Sequence, residues 1–458
     1  MFYRSFAPRL VLLSVLVTGC HQLESDEINS DEKNWGRIQE SAGQASALRE
    51  LMISKGAKSP EPGVVPTMDD PKVKLGQALY FDKIVSGNQD IACSTCHHPL
   101  FGTSDGLPTA IGIGGDQLGP SRAISGEGFI IPRNSPDIFN RGLSEWRTMF
   151  WDARVSAFSG YFETPAGARL PEGIDNVLAA QAMFPPTSRH EMRGNTGDNE
   201  LGDVVDSDLT GIWEGITTRL LAIEEYEAMF AEAFPAVPAE ELGFQHAANA
   251  IAAFEIAAFT KLDTPYDAFL NGDDSALSDL ERRGAELFFG EANCVSCHSG
   301  ALLTDQETHC IASPQLGPGK DEETGDDFGR ELETKSADDR YAFRTPPLRN
   351  VELTAPFMHS GAYATLEEVV RHHMHPEETL RGYNGASLPS THRGSVLTAA
   401  ELHDDMVDYL SPELGDCSGM GDEEVEALVA FLKSMTDPSA RDMSDLVPTS
   451  VPSGLSID

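Results

Sequence analysis

Apolar positions along this chain repeat mainly at helical spacing. From His246 to Phe259, Ala, Ile and Phe recur on one face. From Glu423 to Met435 a second stripe runs through Val425, Leu428, Leu432 and Met435, with Asp422 placed to cap it. Counting from Leu366, Val369, Val370 and His373 fall at +3, +4 and +7, so His373 points inward and His372 to the opposite side. Strand-like alternation is scarce, which argues against a parallel sheet. The stretches 105–128 and 313–339 are rich in Gly, Pro and Asp. They read as long loops wrapping something other than a large apolar core.

The two ends behave differently from this interior. Residues 1–19 carry a basic start (Arg4, Arg9) and an apolar run from Leu10 to Val17 that is too short to span a bilayer. Val17-Thr18-Gly19-Cys20 resembles a bacterial lipobox, which makes Cys20 a lipidated first mature residue and 20–45 a polar tether. The segment 439–458 shows no apolar period and reads as a disordered tail.

An internal repeat organises what lies between. Gly76-Gln77-Ala78-Leu79-Tyr80-Phe81 precedes Cys93-Ser94-Thr95-Cys96-His97, and Gly284-Ala285-Glu286-Leu287-Phe288-Phe289 precedes Cys294-Val295-Ser296-Cys297-His298. Arg133-Asn134 and Arg349-Asn350 follow in the same order. The expectation is a mainly α chain of two homologous cytochrome c-like domains with long loops, 46–238 and 239–438. The boundary is set near Pro235 to Glu241, where helical pattern breaks.

Composition narrows the partners. Against 33 Lys and Arg stand 73 Asp and Glu, a formal charge of -40. Loss of Arg4 and Arg9 on export moves it to -42. Such a surface repels phosphate backbones and anionic headgroups, so nucleic acid is excluded and membrane contact is expected through the lipid anchor alone. Seven cysteines are too few for a disulfide scaffold, and their odd number gives at least one another task.

In C-x-x-C-H two thiols one helical turn apart form thioethers with the vinyl groups of a haem, and the adjacent His reaches the iron. A thioredoxin-like dithiol does not need that His, and a zinc tetrathiolate would have to join both pairs in one site. Two complete motifs in two copies of one unit, behind an export signal, favour two c-type haems on Cys93, Cys96 and His97 and on Cys294, Cys297 and His298.

With these motifs in place, the chain resembles the bacterial di-haem cytochrome c peroxidases and their relative MauG from about Lys74 to Pro438. The resemblance rests on LGQALYFDKIVSGNQDIACSTCH, IPRNSPDIFN, MFWDARV, FPPTSRHEM, ELFFGEANCVSCH and FRTPPLRNVELTAPFMHSG. It implies reduction of hydrogen peroxide to water with electrons from a small cytochrome c or cupredoxin. One domain's haem does the peroxide chemistry and the other receives electrons. A periplasmic location and a homodimer are implied too.

The resemblance also assigns residues. Glu191 matches the family's distal acid-base glutamate and Trp151 its bridging tryptophan, a large ring suited to electron relay. Where many members place a histidine that plugs the first iron, this chain has Ile113, which cannot ligate. An open first haem follows, with His98 and His190 the residues able to defeat it. The distal ligand of the second haem, Met in typical peroxidases and Tyr in MauG, aligns with His373. Asn134, Thr354 and Pro356 match a calcium site between the domains, an oxygen set suited to that ion. His359 is expected at a haem propionate. Cys310 and Cys417 remain as a candidate disulfide.

Three functions compete: a peroxidase, a MauG-like oxidase of a protein partner, and a plain di-haem electron carrier. Ile113 and Glu191 argue against the carrier.

Overall fold

The computed structural model describes residues 43–321, 323–415, 417 and 419–458. Two compact units divide the chain, Met1–Leu48 and Arg49–Asp458. In the first, 43–48 are helical. Cys20, the export segment and the tether up to residue 42 lie outside the described residues. No helix among those described is long and apolar enough to cross a membrane.

The second unit is mostly helical, as expected, and its described strands form only small antiparallel sheets such as Thr148–Met149, Val155–Phe158 and Tyr161–Glu163. Helix α1 (Pro71–Phe81) starts where Asp70 accepts the Lys72 amide at 2.8 Å and Pro71 presets the first turn. It buries Val73, Leu75, Leu79, Tyr80 and Phe81 against α2 (Phe244–Phe259). In the second copy, α3 (Asp279–Phe289) opens with a capping box between Ser278 and Glu281. The helix α4 (Leu366–Met374) is capped by Thr365 and packs beside α5 (Asp422–Lys433), on which α3 also lies. The cap of α5 is Gly421, whose amide donates to Glu424 at 2.9 Å; Asp422, expected as the cap, is already inside the first turn.

The repeat is visible as one packing device used twice. A Cβ on Gly76 would stand 1.9 Å from the Ala250 carbonyl oxygen, and one on Gly284 would stand 2.0 Å from that of Ala427. In each lobe the helix before the CxxCH motif thus crosses the closing helix at backbone contact, which a glycine alone permits.

This pairing corrects two expectations. The helix α2 closes the first lobe, so the division between lobes falls after Phe259 and not near 238. The Pro235–Glu241 run joins Glu224–Ala233 to α2 inside that lobe. Nor is 439–458 a loose tail, because Ala440, Met443 and Val451 are buried in the first lobe's core. The Ser453 hydroxyl donates to the buried Asp82 at 2.6 Å and Asp458 pairs with Lys83 at 2.5 Å. Short apolar residues at irregular intervals suffice for an extended segment that needs no period of its own.

The long loops run as expected, but they are pinned. Arg133, buried, donates to both oxygens of Asp327 at 2.6 and 2.8 Å and to Asp152 at 2.5 Å. Arg330 Nη1 donates to the carbonyls of Asp152 and Ala153 at 2.8 and 2.7 Å. The loop of the second lobe is thereby fastened to the first.

Candidate haem sites

The CxxCH segments fold alike. Cys93–Cys96 makes one helical turn, Cys294–Ser296 a tighter one. The His97 amide donates to the Cys93 carbonyl at 3.0 Å and that of His298 to the Cys294 carbonyl at 2.9 Å. Each imidazole then holds a carbonyl with Nδ1, His97 with Thr103 and His298 with Leu303, both at 3.2 Å. That contact fixes the tautomer and turns Nε2 into the cavity. Burial lowers both imidazoles to about 4, which keeps them neutral and able to ligate.

Two cavities receive them. Cys93, Cys96 and His97 line the first, of about 580 Å³, whereas Cys294, Cys297 and His298 line the second, of about 200 Å³. The four sulfurs therefore share no common site, which removes the tetrathiolate alternative.

In the second cavity His373 stands where the helical stripe puts it. Its Nδ1 donates to the Val369 carbonyl at 2.9 Å, freeing Nε2, and its ring centroid lies 6.3 Å from that of His298. Metal–nitrogen bonds of about 2 Å, with the half-width of each ring, account for such a gap around one ion. His372 is fully buried elsewhere, its Nε2 bound to the Ile311 carbonyl at 2.8 Å. His359 lines this cavity, stacked on Phe343 with centroids 3.6 Å apart. His309 also lines it, beside the Cys297 sulfur, and a 2.8 Å bond to Asp305 holds its imidazole charged, up to about 10.

The first cavity differs. Glu191 lines it from a π-helical turn, Arg189–Arg193. Burial raises its carboxyl, against the pull of Arg154, Lys320 and Ser188. Ile113 is packed in the apolar core. His190 lies exposed on the rim, stacked on Phe129 with centroids 3.9 Å apart, and the His98 ring receives the Leu100 amide.

Between the cavities stands a shared wall. Trp151 lines both, and its indole N–H donates to the Asn134 carbonyl at 2.9 Å. Asn134 lines both as well, and Thr354 and Pro356 line the second. Arg141 and Arg344 are buried in the same wall, with Asp137 3.1 Å from Arg141 and both Asp137 and Asp152 acting on Arg344. Among the described residues Arg141 Nη1 has no hydrogen-bond partner, and Arg344 donates only to the Phe150 and Thr345 carbonyls at 3.0 and 3.2 Å. Burial lowers the Arg344 guanidinium to about 9. Buried cations that outnumber their counter-charges are costly, and haem propionates are the anions that fit. The residues present therefore suit two haems.

Sequence reasoning missed Arg141, Arg344, Lys320 and Glu255, all on the first cavity's lining. A lone acid in an apolar helix was a legible signal for Glu255. The others lie on loops whose destination no periodicity reveals. Cys310 and Cys417 are not joined as a disulfide: the Cys310 thiol faces the Met406 carbonyl at 3.6 Å, and Cys417 lines the second cavity.

Two repeated lobes, each turning one CxxCH imidazole into its own cavity, make this a c-type cytochrome with two haem sites. The model of the di-haem cytochrome c peroxidase family matches residues 70–275. Methylamine utilization protein MauG of Methylorubrum extorquens is 32% identical over 307 residues, covering 66% of this chain and 68% of the relative. Cytochrome c551 peroxidase of Pseudomonas aeruginosa is 31% identical over 297 residues, covering 65% and 70%. A solved MauG-like protein associated with microbial copper homeostasis superposes with a TM-score of 0.57 at 27% identity, over 86% of this chain and 96% of that one. The chain belongs to the di-haem cytochrome c peroxidase and MauG family, and is an oxidoreductase of that kind.

Proposed function

We propose that the protein reduces hydrogen peroxide to water with electrons from a small cytochrome c or cupredoxin, the first cavity being catalytic and the second accepting electrons. The asymmetry of the cavities carries this reading. Two imidazoles face each other in the second, whereas in the first His97 shares the space with the half-buried Glu191, and the other histidine of the lining, His190, is exposed and stacked on Phe129. The bound haem supplies the two-electron chemistry that cleaves the O–O bond. Glu191 takes a proton from one peroxide oxygen and delivers it to the other, which leaves as water. Two electrons and two protons complete the second water. Trp151, on the wall shared by both cavities, lies on the route of those electrons.

The same proposal includes export to the periplasm, a lipid anchor at Cys20, the family's homodimer, and one calcium ion held by Asn134, Thr354 and Pro356. Asn134 commits its amide nitrogen to the Leu107 carbonyl at 2.9 Å, leaving its oxygen for a cation.

EPR of the ferric holoprotein tests the asymmetry. One high-spin signal and one low-spin signal of bis-imidazole type are expected, and two low-spin signals would overturn an open first site.

His373 favours a second reading. Imidazole stabilises ferric iron more than a thioether does and so lowers the haem potential. A low-potential second haem can itself give up an electron, which suits a MauG-like oxidation of a protein partner. Steady-state peroxide turnover with a reduced small cytochrome separates the two.

A further inference from the structure

Lys320 belongs to the 313–339 loop of the second lobe, yet it lines the first cavity with Glu191 and Arg154. The loop that carries it is fixed by the buried Arg133–Asp327 pair and by Gln315, which exchanges hydrogen bonds of 2.9 Å with the Asp327 backbone. The Lys320 ammonium donates to Asp152 Oδ2 at 2.9 Å. That oxygen, with no exposed surface, also receives Arg133 at 2.5 Å and Arg154 at 2.8 Å. Three cations therefore share two carboxylates, Asp152 and Asp327, and the cluster keeps one positive charge in excess.

Glu191 supplies the balancing charge while it is ionised, and both Lys320 and Arg154 act on it. Once Glu191 holds a proton the excess is exposed to whatever occupies the cavity. Glu255 and Glu333 also line this space, but burial keeps Glu255 protonated below about 8 and Glu333 is exposed to solvent.

We propose that Lys320 is an anion-recognising residue of the first cavity, stabilising the conjugate base of hydrogen peroxide while Glu191 holds its proton. In this step the O–H bond breaks, the proton passes to the Glu191 carboxylate and no electron changes hands. The second lobe thereby contributes a cation to the first lobe's chemistry. The inference rests on the peroxidase reading, but its test needs no turnover.

The probes are azide, a small anion, and imidazole, which binds neutral. Their affinities for the first haem of the holoprotein are read by visible spectroscopy in wild type, Lys320→Met and Lys320→Arg. In Lys320→Met azide should weaken about tenfold, the order expected from one partly buried charge, while imidazole changes less than twofold. Lys320→Arg should retain azide. Equal loss of both ligands, or no loss of azide, overturns the assignment. A protein that shows this charge selectivity but does not reduce peroxide leaves Lys320 in place and removes the peroxidase reading instead.

Discussion

In the run from Ala250 to Phe259, Glu255 is the sole ionisable side chain. Its Oε2 has no hydrogen-bond partner among the described residues, and burial raises its carboxyl to about 8. An acid whose folded pKa exceeds its unfolded one, about 4.3, binds more protons in the folded state between those values, so stability falls as pH rises from the lower to the upper. Glu255→Gln is therefore expected to raise the melting temperature of the holoprotein by several degrees at pH 8 and to leave it unchanged near pH 4. An equal gain at both would mean that charge is not the cause. At this scale the helical period put His373 on the cavity lining, but it set His372 on the opposite side of the helix, where that ring is fully buried and bound to the Ile311 carbonyl. The sequence says little about Arg141 and Arg344, because their meaning depends on buried guanidiniums meeting too few carboxylates, a balance that exists only after the loops have folded.

At the level of elements, helix positions were largely legible because each buries a stripe against a neighbour. The expected His246–Phe259 helix is observed as Phe244–Phe259, and the stripe beginning at Glu423 as Asp422–Lys433. The glycines that open both repeat segments were legible only as similarity. Their physical reason, backbone contact of α1 with α2 and of α3 with α5, appears in the packing. Gly76→Ala drives a methyl onto a main-chain oxygen that cannot rotate away, so a cost of about 3 kcal/mol or more is expected. Gly284→Ala should cost a similar amount. Denaturant melts of the two holoprotein variants check this, and a variant within about 0.5 kcal/mol of wild type would show that the crossing is looser than described.

At the scale of the whole molecule, the two-lobed plan was written in the repeat, but its limits were not. A break in helical pattern at Pro235–Glu241 marks a loop, and a loop is not a division between cores; the closing helix of the second lobe implied one in the first. The ordering of 439–458 was less legible, since extended chain buries single residues against a surface made elsewhere. Met443 and Val451 are 1% and 6% exposed in the first lobe's core, and burying each such side chain contributes about 1.5–3 kcal/mol. The Ser453 hydroxyl and amide both donate to Asp82, which also receives the Tyr226 hydroxyl at 2.7 Å and the Ile84 amide at 2.9 Å. A holoprotein ending at Asp437 loses these contacts and leaves the buried Asp82 short of donors just beyond the end of α1, on the stem that leads to the first CxxCH motif. Amide exchange in α1 is therefore expected to quicken by about a hundredfold, matching about 3 kcal/mol of lost stabilisation, while α3 of the second lobe keeps its protection. Unchanged protection in α1 would mean that the segment merely rests on the surface, and equal loss in α1 and α3 would mean that the two lobes unfold as one.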